Sequence, residues 1–288
     1  MAAIPPPAPT MRKMKGIIAL DLDGTLLNSN KELTPGNLAA LEKAAAAGYA
    51  IVPTTGRFYG GMPQVIRELP FVRYAITING AEVADLSTGQ VIYKAEIPRE
   101  QAVEIMRFLD GFPLIYDCFQ ANAAYMTAAQ KAHIEIMASS PHYQKMLHEL
   151  RQSVPELKAF LAERDMDVQK IQFFTNQPQL RLALMERLPH VFSDILVSSS
   201  VVDNVEINEK SAHKGAALLA LARHLGIPRE NTLAFGDGLN DLTMLRDAGI
   251  GIAMANACDE AKKIADHITL SCDADGVAHA IEQYCFQN

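Results

Sequence analysis

The feature that most limits the possible folds is an alternation of short apolar runs with helical patterns at both ends of the chain. In the first part the runs "IIAL", "YAIVP" and "YAIT" are typical of buried strands, and helical segments separate them. The first such helix is predicted over 34–47, with Thr34 as its N-cap and Pro35 in its first turn. The alternation returns from residue 213 onward. Strands that alternate with helices pair in parallel through crossover connections, so both ends are predicted to build one parallel sheet.

The middle of the chain has a different pattern. Residues 82–208 combine a hairpin signal around Ser-Thr-Gly, a helical stretch at about 127–163 and several short strand-like runs. The simplest interpretation is an α/β fold with a three-layer α/β/α core made of residues 14–81 and 209–288, into which residues 82–208 are inserted as an α+β domain. Residues 1–13 are rich in alanine and proline, and they are predicted to form a flexible tail.

The composition disfavours some classes of partner. The formal net charge is -7, whereas non-specific binding to nucleic acid or to an anionic membrane needs a basic surface. No apolar run reaches the length of a membrane-spanning helix. The four cysteines form no CxxC pair and no zinc-type spacing, which indicates free thiols in a reducing compartment. We therefore expect a cytoplasmic protein with neither nucleic acid nor membrane as a partner.

Carboxylates directly follow two of the predicted core strands. The run "IIAL" leads into Asp21 and Asp23, and the run "TLAF" leads into "GDGLND", which contains Asp237 and Asp241. Because ligands bind beyond the carboxyl ends of parallel strands, these four side chains are expected to lie together. Two like charges about 4 Å apart repel by roughly 4 kcal/mol at an effective dielectric constant of about 20, so such a cluster needs a cation or a lysine. Oxygen ligands beside a phosphate are the preferred environment of Mg²⁺.

Each of these residues has an ordinary structural explanation when it is taken alone. An Asp-Gly pair after a strand is commonly a turn, Asp241 could stand at a helix start, and Lys214 could be a solvated helix residue. Their occurrence together and in this order is what favours an active site. An EF-hand calcium site and a dinucleotide site are both disfavoured, because the sequence lacks the alternating ligands of the one and the glycine pattern of the other.

Four short motifs resemble those of the haloacid dehalogenase-like hydrolases. They are "DLDGT" at 21–25, "TTGR" at 54–57, "HKGAAL" at 213–218 and "GDGLND" at 236–241. The insertion between the second and third motifs resembles the large α/β cap of the Cof-like phosphatase subfamily. The phrases "NGAEV", "IAMANA" and "DGVAHAIE" are also similar to that subfamily. The resemblance covers nearly the whole chain, and it implies a Rossmann-like catalytic core and a cap domain that selects the substrate.

The resemblance implies a Mg²⁺-dependent phosphatase that works through an aspartyl-phosphate intermediate. It assigns the nucleophile to Asp21 and the general acid and base to Asp23, and burial beside another carboxylate is expected to help Asp23 carry a proton. Thr55 would hydrogen-bond a phosphoryl oxygen, and Lys214 would neutralise the charge of Asp21 and of the phosphate. The implied Mg²⁺ ligands are Asp21, the backbone carbonyl of Asp23 and Asp237, and Asp241 would hold the metal or its waters. The implied contacts to phosphate or substrate are Gly24, Thr55, Gly56, Arg57, Asn79, Gly80, Lys214 and Asn240.

Three points stay open in the sequence. Strand alternation lets only one of Thr54 and Thr55 face the site, and the position directly before the glycine favours Thr55. The motifs also fit a phosphomutase or phosphotransferase, or a non-catalytic protein that binds a phosphorylated metabolite, although the last would be expected to lose site residues. A dehalogenase is disfavoured because such enzymes lack the acid/base at Asp23. The substrate is expected to be a small phosphorylated metabolite, either a sugar phosphate or a phosphorylated cofactor, and Glu206 and Asn208 could reach it from the inserted domain.

Overall fold

The structure is a computed structural model that describes residues 14–287, so the tail predicted at 1–13 lies outside the described residues. The strands are β1 (Gly16–Leu20), β2 (Tyr49–Pro53), β3 (Tyr74–Thr77), β4 (Glu82–Asp85), β5 (Gln90–Lys94), β6 (Ile115–Gln120), β7 (Ala123–Thr127), β8 (Arg151–Val154), β9 (Lys170–Phe174), β10 (Ile195–Ser198), β11 (Asn204–Glu209), β12 (Thr232–Gly236), β13 (Ile250–Ala253) and β14 (His267–Ile268). The helices are α1 (Pro35–Ala46), α2 (Gln64–Arg67), α3 (Arg99–Leu109), α4 (Ala128–Lys131), α5 (Ile134–Met137), α6 (Pro141–Leu150), α7 (Leu157–Ala162), α8 (Pro178–Val191), α9 (Lys214–Leu225), α10 (Leu242–Asp247), α11 (Asp259–Ile264) and α12 (Gly276–Ile281). Within this described part, no helix is both long and apolar enough to cross a membrane.

The predicted parallel sheet is present. Strands β14, β13, β12, β1 and β2 pair in that order, and every pairing is parallel. All residues of β1 and β12 are buried, because helices cover both faces of the sheet. Leu41 of α1 and Val277 of α12 pack in one buried cluster with Ile18. Leu218 of α9 packs with Ile17 on the opposite face. This confirms an α/β core in three layers.

A hairpin extends one edge of this sheet. β3 lies beside β2 through a parallel bridge between Thr54 and Ile76, and β4 and β5 follow as antiparallel neighbours. The hairpin signal is therefore confirmed, but residues 82–94, which we expected in the inserted domain, pair with the core strand β3. A hairpin that directly follows β3 covers the open edge of the sheet with the shortest connection. The division of the chain into two domains stays a proposal, with its first boundary moved from residue 81 to Lys94.

A second sheet has six strands in the order β10-β11-β9-β6-β7-β8. Successive side chains on a strand point to opposite faces, so the two faces of this sheet differ in character. On β9, Ile171 and Phe173 pack into the hydrophobic cluster that includes Leu109 of α3 and Leu161 of α7. Lys170 on the same strand points the other way. This polar face is turned toward the carboxyl ends of β1 and β12.

The long helical stretch predicted at about 127–163 is wrong. The segment contains helices α4 to α7 with the strand β8 between the last two, and β8 pairs in parallel with β7. Pro141 begins α6 and Pro155 directly follows β8, and neither position suits the interior of a helix. β8 forms because it adds to an edge of the second sheet, and this tertiary pairing overrides the local helical pattern.

Contacts between the two sheets hold them face to face. The rings of Phe58 from the core and Phe119 from β6 meet edge to face with their centres 5.9 Å apart. Beside them the buried carboxylate of Glu82 accepts hydrogen bonds from Asn122 at 2.7 Å and from Gln169 at 2.8 Å. The polar face of the second sheet is thereby fixed opposite the end of the core where the carboxylates stand.

Candidate active site

Asp21 and Asp237 stand at the carboxyl ends of neighbouring strands. Asp21 follows β1, and its backbone N–H donates to the carbonyl of Phe235 in β12 at 3.0 Å, which continues the sheet pairing up to this carboxylate. Asp237 follows β12, and Asp241 comes one short turn later. One carboxylate oxygen from each of the three aspartates lies within 4.8 Å of the others. The structure therefore brings together the carboxylates that the sequence placed at the strand ends.

A cavity of about 180 Å³ lies between these aspartates and the second sheet, and we call it the central cavity. Its core side is lined by Asp21, Asp23, Thr55, Gly56, Arg57, Phe58, Gly61, Asp237, Gly238, Leu239 and Asn240. Its opposite side, which we call the cap wall, is lined by Phe119, Tyr143, Met146, Leu150, Arg151, Lys170, Gln172, Ser199, Ser200 and Glu206. A ligand in the cavity would thus touch the motif residues on one side and the inserted segment on the other.

Lys214 lies between two of the carboxylates. It is the first residue of α9, and its Nζ donates to Asp21 Oδ1 and to Asp241 Oδ1, both at 2.6 Å. The lysine is fully buried. Burial works to lower the pKa of Lys214, but the charges and hydrogen bonds of Asp21 and Asp241 prevail and raise it, so the side chain is held as an ammonium ion. Lys214 is therefore placed to neutralise Asp21.

Asp241 fixes the turn that carries Asp237. Its Oδ2 accepts the backbone N–H groups of Asp237 and Gly238, each at 2.9 Å, while its Oδ1 accepts from Lys214. Gly236 leaves room for this arrangement, since a Cβ there would lie 2.5 Å from the Cβ of Asp241. Both carboxylate oxygens of Asp241 accept hydrogen bonds from the protein. Asp241 therefore positions Lys214 and the turn that carries Asp237.

The three clustered carboxylates fit a divalent cation. Burial raises the pKa of Asp21 well above its usual value, and Lys214 opposes this rise only in part. The charges of Asp241 and Asp237 add to the rise. Burial and the charge of Asp241 raise the pKa of Asp237 to about 6, although Thr25 donates a hydrogen bond to it at 2.9 Å. Three carboxylates share one ammonium, and a cation that prefers hard oxygen ligands, such as Mg²⁺, would balance the remaining charge.

Gly24 allows the first and fourth motifs to approach each other. Its φ of +90° lies in the left-handed region, and a Cβ on it would lie 2.6 Å from Oδ2 of Asp237. Its carbonyl accepts a hydrogen bond from Asn256 at 2.8 Å. The structure thus gives Gly24 a packing role beside Asp237, and its predicted contact with phosphate stays a prediction.

Asp23 is held by two cations. Arg57 donates to both of its oxygens, from Nε at 2.8 Å and from Nη2 at 2.9 Å, and the Nζ of Lys31 lies 3.1 Å from its Oδ1. Burial works to raise the pKa of Asp23, but the hydrogen bonds and charge of Arg57 and the charge of Lys31 lower it. Burial therefore favours a protonated Asp23, as expected, but the hydrogen bonds and charges of Arg57 and Lys31 outweigh it and lower the pKa overall in this structure.

The structure distinguishes between the two threonines of the second motif. Thr55 lines the central cavity, and its Oγ1 accepts the backbone N–H of Arg57 at 3.2 Å. Thr54 turns its hydroxyl back to the carbonyl of Val52 at 3.1 Å and does not line the cavity. The hydroxyl available to a ligand is thus that of Thr55.

The loop after β3 lies behind the central cavity. Ile78, Asn79 and Gly80 have positive φ angles of 53°, 59° and 98°, which is unusual for an isoleucine. The Nδ2 of Asn79 donates to Glu206 Oε2 at 2.8 Å, and its Oδ1 accepts from Asn240 at 3.3 Å. Gly80 packs against the start of α9, where a Cβ would lie 2.5 Å from a backbone carbonyl. Asn240 lines the cavity, whereas Asn79 and Gly80 do not.

Sequence reasoning missed the cations of the cap wall. The Nζ of Lys170 donates to Glu206 Oε1 at 2.8 Å and to the carbonyl of Gly56 at 3.0 Å, and it lies 4.3 Å from the centre of the Phe119 ring. The two-residue period of "KIQFF" is the signal that could have revealed this lysine, because it separates the polar residues from the apolar ones. Glu206, which the sequence placed within reach, does line the cavity.

Comparison with known proteins gives the family. The family model of the haloacid dehalogenase-like hydrolases matches residues 18–281. The phosphatase YwpJ of Bacillus subtilis (strain 168) is 33% identical over 284 residues, which cover 92% of this chain and 98% of that protein. The pyridoxal phosphate phosphatase YbhA of Escherichia coli (strain K12) is 30% identical over 267 residues, which cover 92% of this chain and 97% of that protein. The structure of a haloacid dehalogenase-like hydrolase from Bacillus subtilis matches with a TM-score of 0.82 at 30% identity, over 93% of this chain and 99% of that one.

These matches agree with the geometry of the site. The family match runs through all four motifs, and the structure brings residues from each of them to one end of the core sheet. The two relatives are phosphatases and match over nearly their whole length. The chain therefore belongs to the haloacid dehalogenase-like hydrolases, in the Cof-like subclass, and is a phosphatase that hydrolyses phosphoric monoesters.

Proposed function

We propose that the protein is a Mg²⁺-dependent phosphatase of small phosphorylated metabolites, either sugar phosphates or phosphorylated cofactors, and that Asp21 forms an aspartyl-phosphate. The observation that carries this proposal is the pairing of Asp21 with the buried Lys214 beside the central cavity. A carboxylate can attack phosphorus only where the negative charge of the phosphate is offset, and a fixed ammonium supplies that offset. The relative named for pyridoxal phosphate supports the class of substrate.

The two oxygens of Asp21 have different surroundings. Its Oδ1 accepts the hydrogen bond from Lys214, whereas its Oδ2 has no hydrogen bond to a described residue, and we assign the attack to Oδ2. A bond forms between Oδ2 and phosphorus as the bond to the leaving oxygen breaks, and the leaving oxygen takes up a proton. Water then attacks phosphorus, which releases inorganic phosphate and restores the carboxylate.

Asp23 is the proton donor and later the base in this proposal. Because Arg57 occupies both of its oxygens in the structure, substrate binding has to release at least one of them. A phosphate can compete for Arg57, since arginine binds phosphate oxygens through two parallel hydrogen bonds. Arg57 lines the central cavity, so this exchange needs no large movement of the backbone.

The residues that would hold the metal are Asp21, Asp237 and the backbone carbonyl of Asp23, with Thr25 orienting Asp237 through its hydrogen bond. Asp241, whose two oxygens already accept hydrogen bonds within the protein, would hold the metal or its waters. Mg²⁺ bound there would offset the charge that the carboxylates and the phosphate bring together.

We also propose the cytoplasm as the location of the protein. The four cysteines are all free, as expected for thiols in a reducing compartment.

The test is phosphate release from p-nitrophenyl phosphate, a hexose phosphate and pyridoxal phosphate. We expect release in Mg²⁺, none in excess EDTA, and recovery when Mg²⁺ is restored. Full release in EDTA would remove the metal from the proposal. Transfer of the phosphoryl group to a second sugar, without release, would favour a phosphomutase or phosphotransferase. Binding of these esters with neither release nor transfer would favour a non-catalytic protein.

A further inference from the structure

Arg151 stands at the start of β8 in the cap wall and is held from one edge. Its Nε donates to Oδ2 of Asp117 at 2.8 Å, and the two side chains are 3% and 0% exposed. Its guanidinium carbon lies 5.1 Å from the centre of the Phe119 ring. Neither of its Nη groups donates a hydrogen bond to a described residue, although the side chain lines the central cavity. An arginine that is fixed at one edge and open at the other can bind an oxyanion through two parallel hydrogen bonds.

The other cations of the central cavity are already engaged. Lys170 donates to Glu206 and to a backbone carbonyl, so its charge joins the cap wall to the core. Arg57 donates from all three of its nitrogens, to Asp23 and to a backbone carbonyl. Among the described cations that line the cavity, Arg151 is therefore the one whose terminal donors lack partners.

A second unpaired donor lies beside the same aspartate. Gln172 on β9 stands directly opposite Asp117 on β6, and it also lines the central cavity. Gln172 is only 2% exposed, and its Nε2 has no hydrogen bond partner among the described residues. Oδ1 of Asp117 between them is also buried without a partner in the part of the chain that the structure describes. Buried polar groups are nearly always bonded, so unpaired groups on Arg151, Asp117 and Gln172 together indicate a ligand at this part of the cap wall.

We propose that Arg151 and Gln172 form a second oxyanion site, which binds a carboxylate or a further phosphate group carried by the leaving group of the substrate. This inference rests on the proposed function, because it describes the part of the substrate that Asp21 does not attack. The Nη groups of Arg151 donate to two oxygens of the oxyanion, and the Gln172 amide, whose Nε2 is buried, turns toward the cavity to donate beside them. Asp117 is a positioning residue that holds the guanidinium. The preferred substrates are small phosphate esters with a second negative group.

The test replaces the charged pair as a unit. In the double variant Arg151→Gln/Asp117→Asn both charges are removed while polar groups remain to hydrogen-bond, so no unpaired buried carboxylate is left behind. The matched control is Arg73→Gln/Asp85→Asn, which neutralises an arginine–aspartate pair outside the central cavity. Melting temperatures of the wild type and of both variants show whether each is folded before activity is compared.

Phosphate release is then measured in Mg²⁺ with two matched pairs of esters. One pair is phosphoglycolate and ethylene glycol phosphate, and the other is fructose bisphosphate and fructose monophosphate. We expect the wild type to prefer the more negative member of at least one pair. In Arg151→Gln/Asp117→Asn, kcat/KM for that member should fall by about 30-fold, and kcat/KM for its partner should change less than about threefold. The control should keep the wild-type preference. A loss confined to phosphoglycolate would show that the site binds a carboxylate, and a loss confined to fructose bisphosphate would show that it binds a phosphate.

Equal losses for both members of each pair would assign Arg151 a merely structural role and overturn the site. If the wild type releases phosphate from none of the esters, the proposed function fails, and binding then tests the site separately. A rise in melting temperature with phosphoglycolate or fructose bisphosphate, seen in the wild type and the control but not in Arg151→Gln/Asp117→Asn, would support it. The same rise in all three proteins, or no rise in any, would overturn it.

Discussion

Lys214 and its two aspartates are buried together, so each side chain depends on the others for its charge. Removing one member of a buried ion pair leaves an uncompensated charge, and this costs far more than the intact pair contributes to stability. The lysine that we propose to support attack by Asp21 therefore also supports the fold around it. The proposed catalytic role and the structural role thus coincide at Lys214.

We expect Lys214→Met to lower the free energy of unfolding by about 3–5 kcal/mol in EDTA, because Asp21 and Asp241 lose their shared cation. Mg²⁺ should recover part of this loss by replacing the ammonium charge. Chemical denaturation measures both values. The control is Lys145→Met, which removes a lysine whose side chain is 73% exposed; it should change stability by less than about 1 kcal/mol. A Lys214→Met variant as stable as the wild type in EDTA would contradict the buried charge cluster.

The sequence predicts single candidate residues of the site, but it does not predict which side chains they pair with. Asp21 was found because it follows an apolar run and stands in a motif. The pairing of Asp23 with Arg57 could not be predicted, since it depends on how two loops from different strands approach each other. Lys170 and Arg151 were missed in the sequence, because they are buried only where one face of the second sheet is turned toward the core.

At the scale of secondary-structure elements, local signals gave the most accurate predictions. Helix α1 begins at Pro35, and the Oγ1 of Thr34 accepts the N–H of Asn37 at 3.2 Å, as the N-cap prediction requires. Capping and proline geometry act within one turn, so a short stretch of sequence suffices to predict them. β8 was missed because its pairing with the separate strand β7 decides it. The β4–β5 hairpin was assigned to the inserted domain because its own residues carry no signal of the pairing with β3.

The loop after β3 contacts the start of α9 at Gly80, and from this contact we predict how Gly80→Ala changes stability and activity. Its φ is +98°, and a Cβ would lie 2.5 Å from the carbonyl of His213, so alanine would displace the start of the helix that carries Lys214. We expect Gly80→Ala to lose about 2–4 kcal/mol of stability from backbone strain and overlap together. It should also lower kcat more than it changes KM.

Gly89→Ala is the matched control for Gly80→Ala. Gly89 has a φ of +72°, and no atom lies within 4 Å of the position that a Cβ would take, so alanine there adds backbone strain without overlap. We expect it to cost about 1 kcal/mol and to leave kcat unchanged. Unfolding in urea and steady-state kinetics provide the comparison. If the two variants behaved alike, the contact with α9 would have no part in placing Lys214.

The lowered pKa of Asp85, at the end of β4, should make the stability of the fold depend on pH. Burial works to raise its pKa, but hydrogen bonds from Arg73 at 2.7 Å and from Ser87 at 2.6 Å, with the Arg73 charge, lower it to about 2. The unfolded carboxyl has a pKa of about 3.9, so this stabilisation is complete above that value and is lost as the pH falls toward about 2.

The measurement compares the wild type with Asp85→Asn in urea unfolding at several pH values. We expect the wild type to be more stable by about 1–2 kcal/mol at neutral pH, a figure reduced for the solvent screening of the partly exposed Arg73. This advantage should shrink as the pH falls from about 5 toward about 2. A difference that stays constant over that range would show that Asp85 titrates alike in the folded and unfolded states.

At the scale of the whole molecule, two sheets from different parts of the chain enclose one cavity. The core sheet supplies the motif residues, and their meeting point followed from the rule that parallel strands present ligands at their carboxyl ends. The second sheet supplies the cap wall. The strand order of this sheet, β10-β11-β9-β6-β7-β8, could not be predicted from any local pattern in the sequence. Lys170 and Glu206 connect the two through Gly56 and Asn79, so the cap wall is joined to the catalytic loops by hydrogen bonds.

One measurement decides whether Asp21 carries the reaction. Phosphate release is compared between the wild type and Asp21→Asn, with the same esters and with Mg²⁺ present. Asparagine keeps the shape of the side chain and leaves Lys214 paired with Asp241, but its amide cannot form the phosphorylated intermediate. We expect a variant that melts near the wild-type temperature and releases phosphate at less than about 1% of the wild-type rate. A folded Asp21→Asn protein that keeps more than about a tenth of that rate would contradict the role of Asp21 as nucleophile.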